Sequence, residues 1–200
     1  MDEILSYRQY VRPFYVMAKP AGARCNLRCT YCYYLEKSNL YPAAPAQTMS
    51  DELLERFIRD YIAAQAGDAV SFAWHGGETL LRSRDFYRRV IELQRRYADG
   101  RQIDNSIQTN GTLLTPALCR ELRARRVAVG VSLDGVGPDN AARRTPEGEP
   151  SFQATARGLQ TLAAAGMAAN LTAVVSAGSV RGLDRLLDFA LWCGNVHGVG

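Results

Sequence analysis

The 200-residue sequence predicts an α/β fold built from repeated strand–helix units, and two observations carry that prediction. Short apolar runs recur at intervals of about thirty residues, and the segments between them place apolar side chains at helical spacing behind good N-caps. Alternation of this kind packs as an open doubly wound sheet or as a barrel, and periodicity alone does not separate the two.

Phe14 to Ala18, Val70 to Trp74, Ile103 to Gln108, Val127 to Leu133 and Asn170 to Val175 read as five parallel strands. Their nearly continuous apolar character predicts a sheet buried on both faces. Leu53, Leu54, Phe57, Ile58, Tyr61 and Ile62 form one helical stripe, Phe86, Val90, Leu93 and Tyr97 a second, and Leu118 with Leu122 a third. Ser50 before Asp51-Glu52, Thr115 before Pro116, and Ser151 before the segment carrying Leu159 and Leu162 mark helix starts. A last helix is expected over Leu183 to Trp192. Val196 to Gly200 reads as only the start of a sixth strand, which would leave the fifth with an unpaired edge.

With 47% hydrophobic and 22% charged residues, the chain has the composition of one domain with its own core. The net charge of +4 comes from arginines such as Arg88, Arg89, Arg95, Arg96, Arg123, Arg125 and Arg126, which stand beside acidic neighbours on predicted helices. That pattern describes a solvated helix face, so no nucleic-acid partner is expected. No stretch approaches the roughly 20 apolar residues of a membrane span, and Met1-Asp-Glu-Ile lacks the features of a secretory signal. A cytoplasmic protein without membrane contact is the expectation, and a reducing compartment suits free thiols.

The chemistry is concentrated in Cys25, Cys29 and Cys32, spaced Cys-x3-Cys-x2-Cys in a loop after the first strand. A structural zinc site needs four closed ligands, and Cys119, Cys193, His75 and His197 build no second knuckle. A redox dithiol of Cys29 and Cys32 leaves Cys25 unexplained. Three soft thiolates suit an iron–sulfur cluster that keeps one iron open. Cys119 and Cys193 fall in helical apolar patterns and read as small buried hydrophobes.

This spacing, with aromatic Tyr31 just before the last cysteine, resembles the radical S-adenosylmethionine (radical SAM) superfamily. Lys19-Pro20, Trp74-His75-Gly76-Gly77-Glu78, Gln108-Thr109-Asn110-Gly111-Thr112 and Val131-Ser132-Leu133-Asp134-Gly135 follow in the family's order. More narrowly, Lys19 to Cys25, Tyr33 to Lys37 and Asp104 to Gly111 resemble the anaerobic sulfatase-maturating enzymes. The resemblance implies a partial (β/α)6 barrel truncated after about five units, with residues 1–13 a lead-in, 14–200 an incomplete core and a C-terminal SPASM-type domain absent. It also implies a [4Fe-4S] cluster and S-adenosylmethionine as cofactors, a 5′-deoxyadenosyl radical, and oxidation of a sulfatase cysteine or serine to formylglycine. The partners would be a sulfatase or other polypeptide and a flavodoxin- or ferredoxin-type electron donor. A maturase of a ribosomally made peptide, and a non-catalytic fragment that holds the cluster or S-adenosylmethionine, remain open alternatives.

Carried onto this sequence, the family's motifs make Cys25, Cys29 and Cys32 the cluster ligands. They put Gly76, Gly77 and Glu78 at the methionine amine, with Thr79 where proline is usual, and Ser132 and Arg144 at the methionyl carboxylate. Arg143 offers the same fork one position away. Tyr31 takes the adenine side, Tyr34 and His75 the substrate side, and Asn110 closes the third strand–helix turn. The family's catalytic aspartate would lie beyond Gly200, so no general base is assigned. For the same reason the isolated chain is expected to cleave S-adenosylmethionine poorly.

Overall fold

The computed structural model describes residues 12–37 and 48–200, so the lead-in falls outside the described residues up to position 11. Among the described residues, six strands, β1 (Val16–Ala18), β2 (Ala69–Trp74), β3 (Gln102–Thr109), β4 (Ala128–Ser132), β5 (Ala169–Thr172) and β6 (Val196–Val199), form one parallel sheet. A single turn, α1 (Tyr34–Lys37), follows the cysteines; α2 (Asp51–Ala64), α3 (Arg84–Tyr97), α4 (Pro116–Ala124), α5 (Phe152–Ala164) and α6 (Leu183–Cys193) are the crossover and closing helices. Strand order in space equals strand order in the chain. A doubly wound sheet reverses its order at a switch point, whereas a sheet that never reverses sends every right-handed crossover to the same face and curls toward a barrel. Among the described residues, β1 and β6 each pair on one side only, so the barrel is partial.

Local chemistry explains the helices. Ser50, Ser83 and Thr115 each accept the N–H three residues on with their side-chain oxygen, and Pro116 sits in the first turn of α4. Ser151 departs from the expectation: its hydroxyl donates to Arg143 O at 2.9 Å, and α5 starts without a side-chain cap. On the outer face Val70, Phe72, Trp74, Ile107, Val129, Val131 and Leu171 are buried under the helices. Phe72 and Trp74 stack at 5.9 Å, with Phe57 and Phe86 set edge-on to Trp74. The Trp74 indole N–H donates to Asn105, which pairs in turn with Gln94, so this buried polar group has its partners. Cys119 is fully buried, as its pattern predicted.

Two expectations need correction. Val196 to Val199 pairs with β5, Ala169 opposite Val196, so the fifth strand has no free edge. The sheet is also not buried on both faces: Ser71, Asp104, Asn170 and Thr172 stand exposed on its concave side. In β3 every second residue, Asp104, Ser106 and Gln108, is polar, which is the alternation of a strand with one open face. Three strands, β1, β4 and β5, are also shorter than read from sequence.

Packing of α5 fixes the turn after β3. A Cβ on Gly158 would lie 2.1 Å from Gly111 O, and Thr155 Oγ1 donates to Asn110 O at 2.9 Å. At an ordinary helix interior, glycine to alanine stabilises by about 0.5–1 kcal/mol. Here Gly158→Ala is expected to lose about 1–3 kcal/mol in urea denaturation, because α5 must back away from the turn. A gain in stability would show that the turn yields freely.

Candidate functional site

The chain beyond β1 carries the three cysteines, and it is irregular between Lys19 and Tyr33, so neighbouring backbone must hold it. On one side His75 N–H donates to Ala18 O (2.8 Å), Gly77 N–H to Gly22 O (2.9 Å) and Glu78 N–H to Arg24 O (2.7 Å). On the other, Arg28 N–H donates to Arg144 O (2.6 Å) and Thr30 N–H to Ala142 O (2.9 Å). The glycine pair is required by this contact. A Cβ on Gly77 would meet Arg24 O at 2.1 Å, and Gly76, at φ +131°, would meet Gly22 O at 2.9 Å.

Cys25, Cys29 and Cys32 all line one cavity of about 270 Å³ at the C-terminal mouth of the sheet. With them stand Tyr31, Tyr34, His75, Gly76, Gly77 and Ser132, so nine of the residues singled out in sequence meet in one place. Among the described residues, no three His, Cys, Asp or Glu side chains converge on the point a single metal ion would fill. Three thiols spread over the wall of a shared cavity fit a larger multi-iron group. Burial pushes the Cys25 thiol up to about 11, against the pull of the Leu27 N–H and, more weakly, the Asn110 amide; burial likewise raises Cys29. Binding of iron therefore has to displace protons from these sulfurs.

Two predicted residues are not on the wall. Arg144 is turned outward, its Nη1 donating to Gly148 O at 3.0 Å, and it bridges Pro150. Arg143 faces the cavity instead and is buried. Its Nε lies 3.1 Å from Asp134 Oδ1, an ion pair rather than an aligned hydrogen bond. Consecutive residues of an extended segment point opposite ways, so exchanging the two arginines reverses which one serves the cavity. Glu78 is fully buried behind the wall, where Oε1 accepts from Leu80 N–H and Thr109 Oγ1 and Oε2 from Asn110 N–H, at 2.8–2.9 Å. Burial raises its pKa and these donors oppose the shift. Its task is to tie the second strand–helix turn to the third.

Around the mouth the polar groups are ordered. Tyr31 donates its hydroxyl to Asp134 Oδ2 at 2.5 Å with its ring facing the Arg143 guanidinium, and Asp134 Oδ1 also accepts from Val174 N–H. Gln108 donates to Ser132 Oγ at 2.8 Å, and its amide lies where a Cβ on Gly130 would be, 2.1 Å from Gln108 Oε1. Gly76 N–H donates to His75 Nδ1 at 2.7 Å, which places the proton of the neutral ring on Nε2; burial, with Lys19 nearby, holds the imidazole below its usual pKa. Gln108 lines the cavity without a sequence-based role, Asn110 lines it although expected mainly to close a turn, and Arg143 does so as the alternative to Arg144; Asp134 acts through Arg143. Gln108, Asn110 and Asp134 stand inside the quoted motifs, which was the available signal.

The sequence profile of the radical SAM superfamily matches residues 20–188. A serine-type anaerobic sulfatase-maturating enzyme of Bacteroides thetaiotaomicron is 51% identical over 172 residues, which cover 86% of this chain and 42% of that protein. A cysteine-type anaerobic sulfatase-maturating enzyme of Clostridium perfringens is 32% identical over 179 residues, 88% of this chain and 48% of that one. The chain thus spans less than half the length of these relatives. Native anSMEcpe with bound AdoMet and Cp18Cys peptide superposes with a TM-score of 0.80 at 28% identity, covering 94% of this chain and 51% of that one.

Glu78→Gln tests the buried carboxylate. The amide NH2 would face a buried donor in place of an acceptor, at an expected cost of about 1–3 kcal/mol in urea denaturation at neutral pH. An unchanged midpoint would show that one of the three donors is not bound to this side chain.

Proposed function

Since the chain belongs to the radical SAM superfamily, we propose that it oxidises an active-site serine of a sulfatase polypeptide to formylglycine, with cysteine a poorer substrate. The superfamily uses a [4Fe-4S] cluster and S-adenosylmethionine. Together, when bound, these supply the 5′-deoxyadenosyl radical that takes a hydrogen atom from the substrate carbon; a proton and a further electron then leave to complete the aldehyde. The observation that carries the reading is the single cavity shared by three unpaired thiols, an oriented guanidinium and a glycine pair.

Within that reading, Cys25, Cys29 and Cys32 hold the cluster. The backbone of Gly76 and Gly77 faces the methionine amine, and Glu78 serves by fixing that backbone. Arg143, not Arg144, takes the methionyl carboxylate with the Ser132 hydroxyl, because Asp134 orients its fork and the paired bonds to a carboxylate need that orientation. Tyr31 flanks the adenine. Tyr34 and His75 line the substrate side, where His75 offers Nε2–H as a donor. The concave face, with Ser71, Asp104 and Asn170 exposed, supports an extended polypeptide as the substrate class. Serine is preferred over cysteine as the residue modified because the serine-type relative is 51% identical and the cysteine-type relative 32%. Free cysteines suit a reducing cytoplasm, where a flavodoxin- or ferredoxin-type donor would supply electrons, and no helix among the described residues is long and apolar enough to cross a membrane.

Anaerobic reconstitution is expected to load about four irons per chain, lost in Cys25→Ala. The complete gene product, given reductant, S-adenosylmethionine and a sulfatase-motif peptide, should remove two hydrogens from its serine by mass spectrometry. Iron retained in Cys25→Ala, or a peptide left unchanged while S-adenosylmethionine is consumed, would overturn the assignment.

Arg143→Ala should weaken S-adenosylmethionine binding by about 1.5–3 kcal/mol in calorimetry, with Arg144→Ala close to wild type. The reverse ranking would restore Arg144.

A further inference from the structure

We propose that Asn110 is a positioning residue that raises the reduction potential of the cluster by donating a hydrogen bond to the sulfur of Cys25. The proposal rests on the cluster site described above. Asn110 is buried, and its side chain is oriented from both ends. Oδ1 accepts from Thr112 N–H at 2.9 Å and from the Thr112 hydroxyl at 2.7 Å. Nδ2 donates to Asn26 Oδ1 at 2.9 Å and reaches Cys25 Sγ at 3.8 Å. A flipped amide would set NH2 against the Thr112 N–H and an oxygen against Asn26 Oδ1, so the network selects the orientation that turns N–H toward sulfur. Asn26 closes the ring by donating to Thr112 Oγ1 at 2.8 Å.

The backbone of Asn110 is clamped as firmly. Its N–H is held by Glu78 and its carbonyl by Thr155, so the residue is fixed by the second strand–helix turn and by α5 while its side chain reaches the cysteine loop. The same sulfur accepts a second donor, Leu27 N–H, at 3.3 Å. Hydrogen bonds to cluster sulfurs are among the protein's levers on iron–sulfur potentials. A donor beside the sulfur stabilises the more negative state, and one-electron reduction adds one negative charge. Two donors on Cys25 therefore favour the reduced cluster and widen the range of electron donors able to reach it.

The test is an anaerobic potentiometric titration of the reconstituted protein without peptide, with the reduced cluster followed by electron paramagnetic resonance. Asn110→Asp keeps an acceptor for Thr112 but sets a carboxylate oxygen against the sulfur. It should lower the reduced-to-oxidised ratio at fixed potential about tenfold, a downward shift of 59 mV for a one-electron couple. Asn110→Ala should shift the midpoint in the same direction by less. Iron-loaded variants with wild-type midpoints would overturn the proposal. So would folded variants that both fail to load iron, since Asn110 would then serve assembly instead of tuning. If Asn110→Asp alone fails to load, the direction of the Asn110→Ala shift decides. A wild-type chain that binds no iron would instead bring down the cluster site on which the proposal stands.

Discussion

Everything at this site depends on a stretch of irregular chain being held by its neighbours' backbones. The run from Lys19 to Tyr33 has no ladder of its own, yet three of its sulfurs must face one cavity. Five N–H···O bonds with the described chain around it, two from the second strand–helix turn, two to the segment after β4 and one from Met49 to Pro20 O, supply what secondary structure does not. Backbone donors and acceptors tolerate sequence change everywhere except where a side chain would intrude. Gly76 and Gly77 are those places, and the first explanation of them is contact with the cysteine loop, before any contact with ligand.

A second layer is polar and buried. Glu78 joins two turns, Asp134 gathers Tyr31, Arg143 and the start of the chain beyond β5, and Asn110 reaches from β3 to Cys25. The carboxylates and amides of this network have their partners, while the Arg143 guanidinium, held only by its ion pair with Asp134, keeps a buried nitrogen without a hydrogen bond. The motifs of the sequence are in this sense less a list of ligand contacts than a set of braces between strand ends.

What could be read from the chain follows from how local each signal is. The cysteine triplet, the caps at Ser50 and Thr115 and the helical stripes depend on near neighbours, and they are found where expected, apart from Leu53, which the first stripe counted and which stands exposed. The choice between Arg143 and Arg144 is different, because two adjacent arginines are identical in sequence and are separated only by the bridge of Arg144 to Pro150. The open concave face was missed by weighing the apolar residues of each strand over their alternation; Asp104, Ser106 and Gln108 carried the contrary signal. The pairing of β6 was missed because so few residues follow α6, and a short edge strand takes its stability from the ladder it joins.

The one-sided burial of the sheet has a calorimetric consequence. Heat capacity of unfolding follows the apolar surface hidden in the native state, and here the helices alone cover that surface while Ser71, Asp104, Asn170 and Thr172 remain wet. A polypeptide settling into the concavity would meet two kinds of surface, the wet polar side chains of the strands and the Tyr31, Tyr33 and Tyr34 rings at the mouth. Only the second should contribute a negative heat-capacity change on association.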